Sequence, residues 1–494
     1  MSNSCPVEYW NLINKLKGGQ ENKLCDNINA EKWYEHFKIL NTDETPFDYN
    51  LKIETDSLKI TLINILDQNI SQLEIQTAIS ALKNRKSPGE DNITNEMIKT
   101  GTNVLIKPLQ KLFNHILNSG HSPSAWNMGI ITPNFKKGER ADPGNYRGIT
   151  LLNSLSKLFT SILKERHTKH INENNIIMKE QIGFMPKFRT ADHIFVLKQL
   201  LSKYLKNKKR IFACFNDFKK AFYSIWHQGL LYKLRKNNIS GKFYNIIESI
   251  YQNSLGCVKT KTGLTPSFSV NRGIRQGDNL SPLLFNLYIN DIKYHIESSQ
   301  NNPPTLLTNQ LSCLLYAADD LLLLSESKHG LQNAIDSVGI YCKQWKLDVN
   351  ASKSKIIIFN KSGKILSKNK FKINGQELEN VTSYTYLGLK INSSGKLSKA
   401  QEDLEHRATK ALFKMKQLLY SENNIPIKTH LKLFDSIIKP VLLYCSEVWA
   451  SDCILQSKDL HNNMLPMEKL HIKFCKYVLQ VNCKASNLAC LLEV

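Results

Sequence analysis

The stretch CLLYAADDLLLLS, residues 313–325, places Asp319 and Asp320 side by side inside an otherwise apolar segment. A carboxylate in apolar surroundings is strongly disfavoured unless it is paired or takes up a proton, and a second carboxylate beside it adds repulsion. A compensating positive charge is therefore expected. In RIFACFNDFKKAFYSIWH, residues 210–227, Asp217 closes a strand-like apolar run from Ile211 to Phe215, and the sequence predicts a helix to follow. Acids that each emerge where a strand ends can converge although they lie far apart along the chain. Convergent carboxylates are hard oxygen ligands of the kind that hold a pair of Mg²⁺ ions. An isolated Asp-Asp pair also occurs in solvated turns, so the neighbouring segments must decide.

The balance of charge narrows the partner. The 494 residues carry 66 Lys and Arg against 43 Asp and Glu, a net charge of +23, which points to a polyanion such as nucleic acid. A solvated basic surface without a partner is the alternative. With 41% hydrophobic and 22% charged residues the composition is that of a globular protein, which excludes disordered and fibrous classes. The 11 cysteines are scattered singly, without a C-x-x-C pair, which argues for reduced thiols and against a disulfide framework or structural zinc. No apolar run approaches the ~18 residues of a membrane helix. Residues 1–19 lack the apolar core of a signal peptide, so an intracellular protein of the cytoplasm and/or nucleus, without membrane partners, is expected.

Along the chain, TDETPFDYNLKIETDS (42–57) is an acidic, irregular lead-in, and SSQNNPPT (298–305) has the composition of a surface loop. In RGIRQGDNLSPLLFNLYINDI (272–292), Gly273 and Gly277 bracket Arg275 and Gln276 in a loop that lets backbone approach a base or sugar closely. Ser281 and Pro282 then read as N-cap and first turn of an apolar helix, which is equally the signature of a well-capped core helix. From Lys396 the pattern turns helical almost throughout: Leu404, Ala408, Ala411, Leu412, Met415, Leu418 and Leu419 share one face, with Arg407, Lys410, Lys414 and Lys416 largely elsewhere. The reading is an α+β unit, with strands such as RIFACFNDF and KIIIFN, followed by an all-α unit beyond a boundary near residue 392.

Several segments together resemble the reverse transcriptases of non-LTR (LINE-type) retrotransposons. In order they are KNRKSPGEDNITNEMIK (83–99), IITPNFKKGERADPGNYRGITLLNSLSKLF (130–159), EQIGFMPKFRTADHIF (180–195), FNDFKKAF (215–222), GIRQGDNLSPLLFNLYINDI (273–292), YAADDLLLLS (316–325), WKLDVNASKSKIIIF (345–359) and YTYLGLKI (384–391). LYCSEVWA (443–450) and KLHIKFCKYVL (469–479) extend the resemblance towards the C-terminus. It implies a right-hand polymerase: an extension over 1–60, fingers and a palm with an antiparallel sheet over 61–391, core motifs from 117, and a helical thumb-like region over 392–494. The implied activity is RNA-directed DNA polymerisation, in which dNTPs are added to a DNA primer 3′-hydroxyl on an RNA template with two Mg²⁺ ions.

The resemblance also distributes roles. Asp217, Asp319 and Asp320 fall on the metal-binding acids, with Asp319 the more direct ligand of the pair. Phe222 falls on the aromatic gate that overlaps a ribose 2′-hydroxyl, so deoxynucleotides are implied. Arg147 matches the fingers arginine, whose planar fork suits phosphate. Lys136 and Lys137 read either as its helpers or as a solvated turn, and Gln276 and Gly277 as lining of the nucleotide and template pocket. Lys353 matches a lysine that protonates pyrophosphate, or is a strand-edge lysine. Tyr386, Leu387 and Gly388 resemble a primer grip, with a plain β-turn as the alternative. Lys206, Lys209 and Arg210, within a basic run before the Asp217 strand, read as template contacts or a solvated helix end.

Three departures from the family pattern stand out. Tyr316 is followed by two alanines, Ala317 and Ala318, where one is usual, and this predicts a bulge or a register shift in the hairpin. Tyr223 stands where Asp is usual, and Met185 and Pro186 replace more polar residues. The first residues resemble a linker, so a fragment of a longer element protein, without an upstream endonuclease domain, is expected. The competing reading is an inactive polymerase fold that only binds nucleic acid. A group II intron maturase or an RNA-templated RNA polymerase fits Phe222 and the segments at 83–99 and 443–450 less well.

Overall fold

The apolar runs beside the acidic positions become neighbours in one sheet. The structure, a computed structural model, describes residues 28–43, 45–316, 320–365, 369–419, 425–456 and 465–494. Strand Ile211–Asp217 lies inside a six-stranded sheet of order Phe371–Ile373, Gln376–Asn380, Lys355–Phe359, Ile211–Asp217, Asp320–Ser325, Cys313–Tyr316. Its pairings are antiparallel except that Lys355–Phe359 runs parallel to Gln376–Asn380, so the sheet departs from the purely antiparallel one expected.

The sheet is buried on both faces, which explains why its central strands read as unbroken apolar runs. Strand side chains alternate between faces. Phe212 and Cys214 join Leu321 and Leu323 in a core that includes Leu230, Leu284, Leu331 and Val338 from helices His227–Lys236, Ser281–Tyr288 and Lys328–Gln344. Ile211, Ala213 and Phe215 join Leu322, Leu324, Ile357 and Phe359 against helix Thr190–Lys206 and the hairpin Ser383–Tyr386/Leu389–Asn392. A smaller sheet pairs Met128–Phe135 antiparallel with Tyr146–Leu151 and parallel with Leu255–Thr260, leaving Tyr146–Leu151 at its edge.

Helix Ser398–Leu419 follows the predicted stripe: Leu404, Ala408, Leu412, Met415 and Leu419 are buried, whereas Leu418 is 39% exposed. Its beginning packs on the large sheet through Ala400 and Leu404. Its remainder builds a separate core with Leu433, Phe434, Ile438, Leu470 and Phe474, so apolar packing is continuous across residue 392. Among the described residues no helix is long and apolar enough to cross a membrane.

The helix expected after Asp217 is His227–Lys236; a turn and the short 3₁₀ segment Ala221–Tyr223 come first, because residues 217–219 are held beside Asp348 and Val349 by the Lys219 N–H bond to the Asp348 carbonyl (2.7 Å) and the Phe218–Val349 bridge. Ser281 is the first helical residue and not the cap, since its hydroxyl donates back to the Arg275 carbonyl at 2.9 Å. Tyr316 pairs directly with Asp320 in the ladder, while Ala317, Ala318 and Asp319, on which the expected bulge or register shift falls, lie outside the described residues.

Two buried electrostatic features give tests of stability. Lys233 is buried with its ammonium 2.7 Å from Asp291 Oδ1, 2.7 Å from Tyr341 Oη and 3.8 Å from the Trp345 ring centre. Burial lowers it to about 8. Lys233→Met strips Asp291 of its counter-charge and is expected to cost about 3–5 kcal/mol; adding Asp291→Asn recovers much of that in urea unfolding. Burial also pushes His227 and His193 down to about 4 and His167 to about 3. Their stabilising contribution is complete above the unfolded value of about 6.5 and is lost as pH falls through the folded values. The urea midpoint should therefore decrease from pH 7 to pH 4.5, with a shallower slope in His167→Phe.

Candidate active site

Asp217 and Asp320 are directly opposed residues of adjacent antiparallel strands, at the end of the sheet where the Cys313–Tyr316/Asp320–Ser325 hairpin turns. Directly opposed positions share a face and are separated by about 5 Å between α-carbons. Like charges so placed repel. The turn after Asp217 is pinned from the segment at 348–354: the Asp217 carbonyl accepts from Asn350 N–H at 2.7 Å, and its N–H donates to Ser354 Oγ at 3.2 Å. The same segment brings Lys353 Nζ to 3.6 Å from Asp217 Oδ2, an exposed ion pair that locates the lysine without adding much stability. Asp319 lies outside the described residues.

A cavity of about 270 Å³ opens beside Asp217, lined by Lys136, Lys137, Arg147, Phe222, Gln276 and Lys353 along with Asp217 itself. Seven residues singled out from the sequence thus meet around one space. Lys136 and Lys137 reach it from the connection between strands Met128–Phe135 and Tyr146–Leu151, and exposed Arg147 from the second of these strands. The Phe222 ring stacks on Phe285 at 5.3 Å, with the edge of Phe184 at 6.0 Å, so its position is set by packing. Lys220 also lines the cavity, and burial lowers its ammonium from the usual lysine range. It lies within FNDFKKAF, but its backbone is left-handed (φ 48°), and that local twist, unreadable from sequence, turns the side chain towards the cavity.

The loop at 273–277 works differently from the sequence expectation. The close approach its glycines permit is taken up by the chain itself. A β-carbon on Gly277 (φ +139°) would collide with the Thr150 carbonyl oxygen, and one on Gly273 (φ +83°) would lie 2.9 Å from Tyr223 Cα. Arg275 between them is buried, donating to the carbonyls of Trp126 (3.1 Å) and Asn127 (2.9 Å) and to Ser254 Oγ (2.8 Å). Gln276 ties this loop to the edge strand Tyr146–Leu151 through its carbonyl, which accepts from Thr150 N–H at 2.7 Å.

On the other side of the strand, Tyr384 and Tyr386 pack on Phe215 at 4.6 and 5.3 Å. Burial raises both phenols, Tyr384 to about 12, and the carboxylates of Asp320 and, for Tyr384, Asp217 push further in the same direction. The hairpin therefore lies close to the acids. Its turn residues Leu387 and Gly388 have φ of 47° and 83°, the paired left-handed conformation of a tight two-residue turn. Both carbonyls are held from the helical region, Leu387 by Tyr444 Oη (2.6 Å) and Gly388 by Arg407 Nη2 (3.0 Å). These two partners were not singled out from the sequence for this contact; Arg407 had been placed only on the polar side of a helix. Lys206, Lys209 and Arg210 are not brought to the cavity: they precede strand Ile211–Asp217 and so lie roughly 20 Å from Asp217 along it.

The profile of the family described as reverse transcriptase (RNA-dependent DNA polymerase) matches residues 135–391, just over half of the 494. The chain belongs to the reverse transcriptase family. It is similar to the "Probable RNA-directed DNA polymerase from transposon BS" of Drosophila melanogaster, 25% identical with 88% of this chain and 47% of that protein covered. It is similar also to the "RNA-directed DNA polymerase from mobile element jockey" of Drosophila funebris (28%; 76% and 41% covered) and to the R2 element Pol polyprotein of Nasonia vitripennis (27%; 63% and 30%). The chain spans less than half the length of these relatives. The reverse transcriptase match contains the cavity lining from Lys136 to Lys353 and the turn at Leu387–Gly388, whereas Leu40, which also lines the cavity, and Arg407 and Tyr444 lie outside it.

Gly277→Ala tests the docking of the loop at 273–277 on the edge strand Tyr146–Leu151. The collision with Thr150 and the positive φ should cost roughly 2 kcal/mol or more, read as a lowered urea midpoint; a variant as stable as the parent would contradict it.

Proposed function

We propose that this chain is an RNA-directed DNA polymerase that extends a DNA primer on an RNA template with dNTPs, the small-sheet and N-terminal helical elements acting as fingers, the large sheet as palm and the helices after 392 as thumb. The observation that carries the reading is the single cavity that joins Asp217 to Arg147, Phe222, Gln276 and the lysines, on a chain of net charge +23. The acids fit a divalent ion of the Mg²⁺ type, because Asp217 and Asp320 present oxygen ligands from one face of adjacent strands whose mutual repulsion a cation relieves. Bound there with Asp319, a pair of such ions would supply hydroxyl activation and charge neutralisation at the leaving phosphate.

The remaining work falls to the side chains around the cavity. Arg147 grips phosphate oxygens through its fork, with Lys136 and Lys137 adding positive charge. The Phe222 ring, held by Phe285, occupies the volume a 2′-hydroxyl would need. Lys353, held beside Asp217, donates a proton to departing pyrophosphate. The turn at Leu387–Gly388, fixed by Tyr444 and Arg407, holds the primer end near the acids.

One observation favours the binding-only alternative: the doubled alanine immediately precedes Asp319 in the sequence. Metal geometry tolerates displacements of only about 0.2 Å. Primer extension on poly(A) RNA with oligo(dT), dTTP and Mg²⁺ should give incorporation that Asp217→Ala reduces to background. Arg147→Ala should raise KM for dTTP roughly tenfold, the effect of losing one charged hydrogen bond, and Phe222→Ala should admit ribonucleotides. Activity confined to a chain lacking Ala318 would mark a disabled polymerase; activity in neither would leave nucleic-acid binding as the function.

A further inference from the structure

The exposed edge of strand Tyr146–Leu151 presents the unpaired backbone groups of every edge strand. Gly148 stands opposite Pro133 in the ladder, and proline has no N–H to donate, so the Gly148 N–H and C=O are directed outward. A single side chain meets both. Tyr223 Oη accepts from Gly148 N–H at 2.9 Å and donates to the Gly148 carbonyl at 3.2 Å. Burial pushes this phenol up to about 12, so the proton needed for the donated bond is retained across the neutral range. Gly148 is itself shaped by the contact: a β-carbon there would lie 2.9 Å from Tyr223 Oη and 2.6 Å from Phe37 Cε1.

The bond joins the two walls of the cavity. Arg147, the residue before Gly148, lines one wall; Tyr223 follows Phe222 in the 3₁₀ turn Ala221–Tyr223 that leads away from Asp217 and lines the other. The next joint along the same edge is the Thr150 N–H bond to the Gln276 carbonyl at 2.7 Å. A carboxylate at position 223, the family's usual group, would be an acceptor only and would leave the Gly148 carbonyl unmet.

We propose that Tyr223 is a positioning residue for Arg147: its hydroxyl clamps the Gly148 backbone, setting the guanidinium at the distance from Asp217 and Phe222 that the triphosphate of an incoming nucleotide spans. The inference rests on the polymerase reading above and adds a specificity-bearing contact to it. Removing the hydroxyl alone loosens the arginine and leaves the acids and the primer turn untouched.

The test is equilibrium dTTP affinity of the full chain on poly(A) with a chain-terminated oligo(dT) primer, for the parent, Tyr223→Phe, Arg147→Ala and the double variant. Thermal unfolding and primer–template affinity are measured alongside. Tyr223→Phe should weaken dTTP about fivefold, the size of one ordinary hydrogen bond, with primer–template affinity unchanged. In the Arg147→Ala background the same change should alter dTTP affinity less than about twofold, because the two residues act as one unit. Unaltered affinity in Tyr223→Phe, or an equal factor in both backgrounds, overturns the proposal while parent incorporation still supports the polymerase reading. A parent chain that neither binds nor incorporates dTTP overturns both.

Discussion

Two carboxylates held opposite one another on neighbouring strands repel, the more strongly the closer they lie and the less water separates them. The pairing of Asp217 with Asp320 nevertheless persists because it is the last rung of a ladder whose central rungs, Phe215–Leu322, Cys214–Leu323 and Ala213–Leu324, are apolar on both faces. A slip of one residue would exchange the two faces, sending Asp217 into the core beneath Cys214 and exposing Phe215 to the wrong side. Burial on two faces thus sets the register, and the register creates a concentration of negative charge where the strands end.

Around that point the chain assembles a cleft from segments that are remote in sequence. The small sheet contributes Arg147 and the two lysines, the turn after Asp217 contributes Phe222, and the 348–354 segment contributes Lys353. What holds the pieces in register is backbone chemistry. Gly277 and Gly273 allow main chains to touch without intervening side chains, and the Thr150–Gln276 and Gly148–Tyr223 bonds satisfy an edge strand that would otherwise be open to pairing. The cleft is therefore shaped by polar backbone groups that have to find partners.

The helical region is coupled to the acids by a similar device. Tyr444 and Arg407 each take one carbonyl of the Leu387–Gly388 turn, and the same hairpin lays Tyr384 and Tyr386 on Phe215, two residues before Asp217. Two hydrogen bonds thus tie the helices to the turn, and ring contacts tie the same hairpin to the acidic strand.

The sequence by itself determined the strands, their acidic ends and the helical stripe after residue 398, because period-two and period-3.6 burial are local properties of the chain. The order of motifs also carried the family and a set of cavity residues from Lys136 to Lys353, since each motif keeps its own local signature. Only the tertiary structure decided what those residues touch. Glycines read as room for a ligand are filled by Thr150 and Tyr223, and a serine read as a cap turns back to Arg275. The contribution of Lys220, and the clamps made by Tyr223 and Tyr444, were illegible for the same reason. They depend on left-handed backbone angles and on which orphan N–H or carbonyl comes within hydrogen-bonding distance, and neither quantity exists until the elements have packed.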